Sequence, residues 1–215
     1  MSDCCDPVPY RRLFNSKEAD RVLKRYRKKP LKPMTSGLVE FLESEGIQGL
    51  ELLEVGGGIG WFQIELLKRG VASAVNVELS SGYDEVAAAL AAEEGVSDRI
   101  ERRVGDFVEI QSAVSPADIV LANAVICCYP FMERMMSALV SKTGRYLVLV
   151  FPRERWWVKA ALRLGELWLR LRGCGFRAFV HPVEDIERIA DEDGLLARHR
   201  DNTFNWQAVI WERAA

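Results

Sequence analysis

Apolar and polar residues alternate along the chain in a pattern typical of buried strands separated by helices. Apolar runs of about four to eight residues, bounded by glycine or polar residues, predict strands, and apolar residues at every third or fourth position predict helices. The predicted strands lie near residues 50–55, 74–79, 99–104, 117–123, 145–151, 195–204 and 206–212, and helices near 60–69, 83–94, 106–113, 130–142 and 183–193. This order predicts right-handed βαβ units and a mostly parallel sheet covered by helices.

The N-terminal segment, residues 1–33, differs from this core. Between Arg11 and Lys32 lie ten basic residues and only two acidic ones, and a partial apolar stripe predicts a basic helical extension. Thr35 or Ser36 is expected to cap the next helix. We therefore divide the chain into an extension at 1–33 and a main domain at 34–215.

A Trp-rich stretch near residues 153–175 predicts a helical insertion in the main domain. Apolar residues recur at helical spacing, and the other face of the helix is basic. Three interpretations remain open: packing in the core, a lid over an apolar substrate, or a helix that lies on a membrane surface.

The segment 52–60 contains the most informative chemistry. It predicts a buried strand that runs through Glu54 into a turn with Gly56, Gly58 and Gly60, followed by a helix. The next strand ends at Glu78, and an acid about 20 residues past such a turn is placed to hold ribose hydroxyls. The pattern indicates a nucleoside-containing cofactor.

The spacing of the glycines distinguishes between cofactors. A dinucleotide fingerprint needs a third glycine where this chain has Trp61. The acid-x-Gly-x-Gly-x-Gly pattern instead resembles motif I of the class I S-adenosylmethionine (SAM) methyltransferases. The resemblance implies a three-layer, Rossmann-like doubly wound α/β sheet of seven mostly parallel strands with an antiparallel C-terminal strand.

The same resemblance implies roles for several residues. Glu54 would organise the loop around the methionine end of SAM, Glu78 would hold the ribose, and Leu79 would also belong to the cofactor site. Asp106 would contact the adenine amino group and Phe107 would wall its pocket. Asn123 would lie at the end of the fourth strand, where the methyl group points.

Composition narrows the classes of partner. The chain has 215 residues, a formal net charge of -2 and a pI near 5.9, and this overall charge does not favour a nucleic-acid substrate. No apolar run is long enough for a membrane span, and the acidic N-terminus does not resemble a signal peptide. We expect a cytoplasmic protein with reduced thiols. Peripheral membrane contact remains open.

The vicinal pairs Cys4-Cys5 and Cys127-Cys128 could in principle hold zinc or a soft metalloid. Adjacent cysteines lack the usual spacer of zinc sites, so we predict no metal centre.

The acceptor side is less well defined. His181 is a candidate acid–base or substrate-orienting residue, and Asn123 and Tyr129 are further candidates for the catalytic site. Tyr129-Pro130, Phe151-Pro152, Leu164-Gly165-Glu166-Leu167 and His181 follow an order similar to magnesium-protoporphyrin O-methyltransferases, although the segment 172–176 departs from them. We expect methyl transfer to a small molecule, such as O-methylation of a carboxylate or hydroxyl on an apolar or planar substrate. A nucleic-acid methyltransferase that uses the basic arm and a non-catalytic SAM-binding module are the alternatives.

Overall fold

A computed structural model describes residues 7–214 of the chain, with side chains from residue 10 onward. Its centre is a seven-stranded sheet with the order β3-β2-β1-β4-β5-β7-β6. The strands are β1 Glu51–Val55, β2 Ser73–Glu78, β3 Ile100–Val104, β4 Ala117–Asn123, β5 Thr143–Pro152, β6 Leu195–Asn202 and β7 Trp206–Arg213. β7 runs antiparallel to both of its neighbours and the other pairs are parallel, which confirms the expected sheet.

Helices cover both faces of this sheet. They are α1 Pro7–Leu13, α2 Ser16–Lys28, α3 Pro33–Ser44, α4 Trp61–Leu67, α5 Asp84–Glu93, α6 Phe107–Ile110, α7 Met132–Lys142, α8 Trp156–Leu171 and α9 Val183–Glu192. One core packs Leu38, Leu42 and Phe62 from α3 and α4 against the sheet. The opposite core includes Met136 and Ile186 from α7 and α9. This is the expected three-layer arrangement.

One local expectation was wrong. α3 begins at Pro33 rather than after Thr35 or Ser36, because proline is well suited to the first helical position, where its missing N–H is not needed. The Thr35 hydroxyl instead accepts a hydrogen bond from the Lys32 N–H at 3.0 Å. Gly144 lies within β5, where a Cβ would lie 3.0 Å from the Ala117 carbonyl oxygen.

The basic extension is helical and packs on the main domain. Ala19 and Tyr26 of α2 are buried, and the Tyr26 hydroxyl donates a 2.7 Å hydrogen bond to Glu65. Arg21 and Arg25 both form ion pairs with Glu18, so part of the positive charge of α2 is neutralised within the helix. The division of the chain at residue 33 stays a prediction, and the Cys4-Cys5 pair lies outside the described residues.

The insertion forms α8, but the structure contradicts the interpretation that its apolar stripe packs in the core. Val158 is the only buried residue of this helix, whereas Trp156, Leu164 and Leu171 are 77%, 69% and 79% exposed. Within residues 7–214 no helix has the length and apolar character needed to cross a membrane. The apolar face of α8 therefore requires another explanation.

Candidate active site

A cavity of about 310 Å³ opens at the carboxyl edge of β1, β2, β3 and β4. This is where ligands bind in doubly wound α/β sheets, and the volume lies at the lower end of the range for small-molecule sites. The lining residues are Tyr10, Val55, Gly56, Val77, Leu79, Gly105, Asp106, Phe107, Val125, Cys128, Tyr129, Pro130, Met135, Gly175, Phe176, Arg177 and Phe179.

The glycine turn reaches this cavity through Gly56, whereas Gly58 and Gly60 are not among its lining residues, so their contact with the cofactor stays a prediction. Gly56, Gly58 and Gly60 have φ values of 65°, 58° and 76°, a region that favours glycine. A Cβ on Gly56 would also lie 2.5 Å from the Cγ2 atom of Val125. The backbone conformation favours glycine at all three positions, and Gly56 in addition packs closely against the loop after β4.

Glu54 lies beneath this loop and does not line the cavity. Its side chain is buried, and Asn76 donates a 3.4 Å hydrogen bond to its Oε2 atom. A Cβ on Gly57 would lie 2.6 Å from that same oxygen, so the carboxylate packs directly against the loop backbone. Burial raises the pKa of Glu54 from 4.5 to about 8, although hydrogen bonds and the nearby Arg102 act in the opposite direction.

Glu78 joins the glycine turn to the end of β2. Its two carboxylate oxygens accept hydrogen bonds from the N–H groups of Gly58, at 2.9 Å, and Ser80, at 3.0 Å. Burial raises the pKa of Glu78, while those hydrogen bonds lower it. A carboxylate has about four acceptor sites, so capacity for a ribose hydroxyl remains. Glu78 is buried and is not among the residues that line the cavity, so its contact with the ribose stays a prediction.

Three of the predicted cofactor-binding residues meet at the cavity wall. Leu79, Asp106 and Phe107 all line it. Asp106 also caps α6, because its Oδ1 atom accepts a 2.9 Å hydrogen bond from the Val108 N–H. Burial raises the pKa of Asp106. The second carboxylate oxygen is thus the one available for an adenine amino group, and that role stays a prediction.

The loop after β4 approaches the cavity from the other side. Val125 and Tyr129 line it, whereas Asn123 is half-buried at the strand end and is not among the lining residues. Between them Ala124 has φ of 60°, a conformation that is rare outside glycine. This backbone strain lies beside the cavity, as strained residues often do at functional sites.

His181 contacts the same loop from outside. Its Nε2 atom lies 3.1 Å from the Ile126 carbonyl oxygen and 3.0 Å from the Tyr129 carbonyl oxygen. Both partners are acceptors, so Nε2 carries the proton in the neutral ring. Burial lowers the pKa of His181, which favours that neutral form. The ring holds the loop in place and is not among the lining residues, so a catalytic role for it stays a prediction.

Comparison with known proteins identifies the family. A family model described as a methyltransferase domain matches residues 12–199. The chain belongs to the methyltransferase-domain family. A search of curated proteins gives no match for this methyltransferase.

Solved structures share its fold. Magnesium protoporphyrin IX methyltransferase from Synechocystis PCC 6803 with bound S-adenosylhomocysteine (SAH) has a TM-score of 0.77 at 22% identity, over 97% of this chain and 100% of that chain. The same enzyme with bound SAM has a TM-score of 0.74 at 20% identity over 100% of both chains. Geranyl diphosphate C-methyltransferase from Streptomyces coelicolor A3(2) has a TM-score of 0.64 at 14% identity, over 83% of this chain and 77% of that chain.

The cofactor of the methyltransferase is SAM. The residues present fit it: the turn at Gly56 leaves no room for side chains, and the buried carboxylates of Glu54 and Glu78 lie beside and beneath the turn. Acidic groups suit a cofactor whose methionine end is cationic better than one with a pyrophosphate.

Sequence reasoning missed the cationic partner of these acids. Arg102, on β3, donates hydrogen bonds to Asp84 at 2.7 Å, to the Gly58 carbonyl oxygen at 2.9 Å and to Asn76 at 3.1 Å. Its charge lowers the pKa of both Glu54 and Glu78. The sequence did contain a signal for this role: Arg102 and Asn76 lie in the middle of predicted strands, where a parallel sheet usually has apolar residues.

Two further segments contribute to the cavity wall. Tyr10 from α1 lines the cavity, and burial raises its pKa well above the usual value, with further contributions from Glu78 and the two adjacent cysteines. Gly175, at the end of the predicted insertion, and Phe176 and Arg177, which follow it, also line the cavity, whereas α8 itself does not. The interpretation of the insertion as a lid over the substrate stays a prediction.

Proposed function

We propose that the methyltransferase transfers the methyl group of SAM to an oxygen of a small, largely apolar and planar acceptor that carries a carboxylate. The observation that supports this is the chemistry of the wall away from the glycine turn. Four aromatic residues and the arginine Arg177 line this cavity together; the aromatic residues are Tyr10, Tyr129, Phe176 and Phe179. Flat apolar walls with a cation favour a planar anion.

Arg177 is held in a defined position. Its Nε atom lies 3.0 Å from a Glu166 carboxylate oxygen, and its guanidinium carbon lies 5.7 Å from the centroid of the Phe179 ring. Arginine has five N–H donors, so the ion pair leaves donors for a second, bidentate contact with a carboxylate. This arrangement would orient an anionic acceptor at the cavity.

Methyl transfer from SAM requires few catalytic groups from the protein. SAM supplies an activated methyl group, so the chain mainly has to hold donor and acceptor in line and exclude water. A carboxylate acceptor is already deprotonated at neutral pH and needs no general base. His181 would then act as a positioning residue, because its ring fixes the backbone that carries Tyr129.

Paired acceptors would test this proposal. Aromatic carboxylic acids and their primary amides are offered with methyl-labelled SAM, and we expect label in base-labile esters of the acids only. Arg177→Gln should raise KM for the acid about tenfold or more, because a charged hydrogen bond contributes about 1.5–3 kcal/mol. Arg188→Gln, on the exposed surface of α9, is the matched control and should leave KM unchanged.

Other outcomes would contradict the proposal. Equal turnover of acid and amide, or an unchanged KM in Arg177→Gln, would show that no carboxylate is recognised. Label that enters RNA or DNA, with a steep dependence on salt, would instead favour the nucleic-acid alternative based on the basic extension.

A further inference from the structure

Two adjacent thiols lie at the acceptor side of the cavity. Cys127 and Cys128 belong to a short 3₁₀ turn after β4, and both are in the thiol form. Cys128 lines the cavity, whereas Cys127 is only 5% exposed behind it. Their Sγ atoms are 3.9 Å apart.

The turn brings these sulfur atoms to the same side. In an extended strand adjacent side chains point to opposite faces. Here both thiols lie 3.4 Å from one acceptor, the carbonyl oxygen of Ala124. Ala124 itself has φ of 60°, a conformation that is rare outside glycine. The result is a pair of side-by-side sulfur donors that already share one polar contact.

The ligands that such a pair can bind are limited. Thiolates are soft donors, but structural zinc needs four ligands. Among the described residues no group of three or more His, Cys, Asp or Glu side chains is placed to hold a metal ion. A linear two-coordinate ion needs its sulfur donors on opposite sides of itself. Pyramidal trivalent arsenic, in contrast, takes two sulfur donors that lie side by side.

We propose that Cys127 and Cys128 form a chelating dithiol site for trivalent arsenicals. With an organic arsenoxide, two As–S bonds form and the As–O bonds break. Both thiol protons leave with the oxygen as water, and no atom is oxidised or reduced. Because Cys128 lines the cavity beside Tyr129, the bound arsenical occupies acceptor space. This site does not depend on which oxygen acceptor the enzyme uses.

Phenylarsine oxide is the probe for this site. In full-length protein with Cys4, Cys5 and Cys174 replaced by serine, only the proposed pair of thiols remains. We expect one arsenical bound per chain, two thiols lost in a thiol titration, and release by an added small dithiol. No binding to this variant would overturn the proposal.

Single variants separate chelation from simple thiol reactivity. The single variants are made in protein with Cys4 and Cys5 replaced by serine, so that no other vicinal pair is present. In that parent protein, Cys127→Ala and Cys128→Ala should each weaken binding about 10²-fold or more, because the second sulfur no longer raises the effective concentration of thiol at the arsenic. Cys174→Ala is the matched control and should bind as the parent does. Retained SAM binding and an unchanged Tm show that the variants are folded. Equal binding to either single variant and the parent would refute a dithiol site.

The exposed face of α8 independently supports a second proposal. At 100° per residue, its five exposed large apolar side chains fall within an arc of roughly 120°. They are Trp156, Leu164, Leu167, Trp168 and Leu171. Phe204, in the turn between β6 and β7, extends the patch; it is 72% exposed and stacks on Trp157 with ring centroids 5.2 Å apart. This patch is called the α8 face below.

Positive charge borders the α8 face on both sides. By the same helical projection, Lys159, Arg163 and Arg170 follow one edge and Arg172 lies at the other. Between Arg155 and Arg172 there are five basic residues and one acid, Glu166. That acid is already paired with Arg170 and Arg177, so the border presents net positive charge.

We infer that the α8 face docks on an anionic lipid bilayer surface. An apolar arc with Trp and Leu, bordered by Lys and Arg, is the arrangement of helices that lie in the membrane interface. Charge complementarity selects this occupant over a second copy of the chain, because two copies of the α8 face would bring two basic borders together. The loop after α8 forms part of the cavity wall, so docking of the α8 face would place that wall next to the lipid.

Vesicle sedimentation of the full-length protein tests this inference. We expect binding to vesicles of phosphatidylcholine with phosphatidylglycerol, weaker binding to phosphatidylcholine alone, and loss of the difference at high salt. Leu164→Glu with Leu171→Glu should weaken partitioning about tenfold or more. Leu196→Glu is the control, since Leu196 is 56% exposed on β6 and lies outside the α8 face.

Two results would overturn this inference. One is equal sedimentation of the native protein and the Leu164→Glu, Leu171→Glu variant. The other is that the native protein does not bind vesicles but forms a dimer in ultracentrifugation, and that the same variant is monomeric. That result would make a second copy of the chain the occupant of the α8 face. An unchanged Tm in the variants, expected for exposed positions, excludes unfolding as the cause.

Discussion

Glu54 should make the methyltransferase less stable as pH rises from about 5 to 8. In the unfolded chain this carboxyl ionises at its ordinary pKa of 4.5, whereas burial raises its pKa in the folded state to about 8. Between those values the folded state binds the extra proton, so the free energy of unfolding falls as pH rises and levels off above pH 8. The pKa of Glu54 differs by about 3.5 between the unfolded and folded states, and each pKa unit corresponds to about 1.4 kcal/mol. The free energy of unfolding therefore falls by about 5 kcal/mol at most over this pH range.

The Glu54→Gln variant isolates this effect. The amide is close in shape, keeps an acceptor oxygen for the Asn76 side chain, and cannot ionise. Urea unfolding at pH 5, 6, 7, 8 and 9 should show that the variant gains stability relative to the native protein as pH rises. Taking the difference removes the contribution of Glu78, whose pKa is also raised.

Glu51→Gln is the control, because this carboxylate is exposed at the other end of β1. The free energy of unfolding of this variant should depend on pH in the same way as that of the native protein. If native protein and Glu54→Gln lose stability in parallel, to within about 1 kcal/mol, then Glu54 ionises without penalty and the argument from burial fails.

Four further changes test the remaining site residues. Glu78→Ala should weaken SAM binding at least about tenfold in calorimetry, because it removes charge-assisted hydrogen bonds; unchanged affinity would exclude a ribose contact. Asp106→Asn should reduce the preference for adenine over hypoxanthine analogues of SAM, and an unaltered preference would leave it only as the cap of α6. Ala124→Gly should keep or raise stability, whereas Ala124→Val should lower it by about 1–2 kcal/mol in urea unfolding, since φ is 60° there; equal stability of the two would contradict the strain. His181→Ala should lower kcat with SAM affinity intact if the ring positions Tyr129, and a parallel loss of SAM binding and Tm would mark it as structural.

The sequence predicted those parts of the site that follow strand ends. Glu54, Glu78 and Asp106 each lie at or just after the end of a parallel strand, and such ends meet at one edge of the sheet. Periodicity placed the strands and the fold resemblance placed their order. These inferences need only local spacing, which a single sequence contains.

The rest of the site depends on long-range packing. Tyr10 reaches the cavity from a helix far from the glycine turn in sequence, and Arg177 reaches it from a loop after the insertion. No local spacing relates such positions. His181 was singled out from its residue type, but its ring nitrogen contacts two backbone carbonyls, a detail that only the folded backbone shows.

The charges beneath the glycine turn also explain why this fold is suited to SAM. Two buried carboxylates, Glu54 and Glu78, share one nearby cation, Arg102, so full ionisation leaves an excess negative charge. Burial disfavours that charge and raises both pKa values, which is a cost of the folded state in the absence of a ligand. A cation bound above the turn would offset this cost and draw the carboxyl groups towards ionisation, whereas a pyrophosphate would add to it. SAM affinity should therefore rise with pH through about 8 in the native protein, and this rise should be lost in Glu54→Gln. A pH-independent affinity in the native protein would show that the methionine end of SAM does not interact with Glu54.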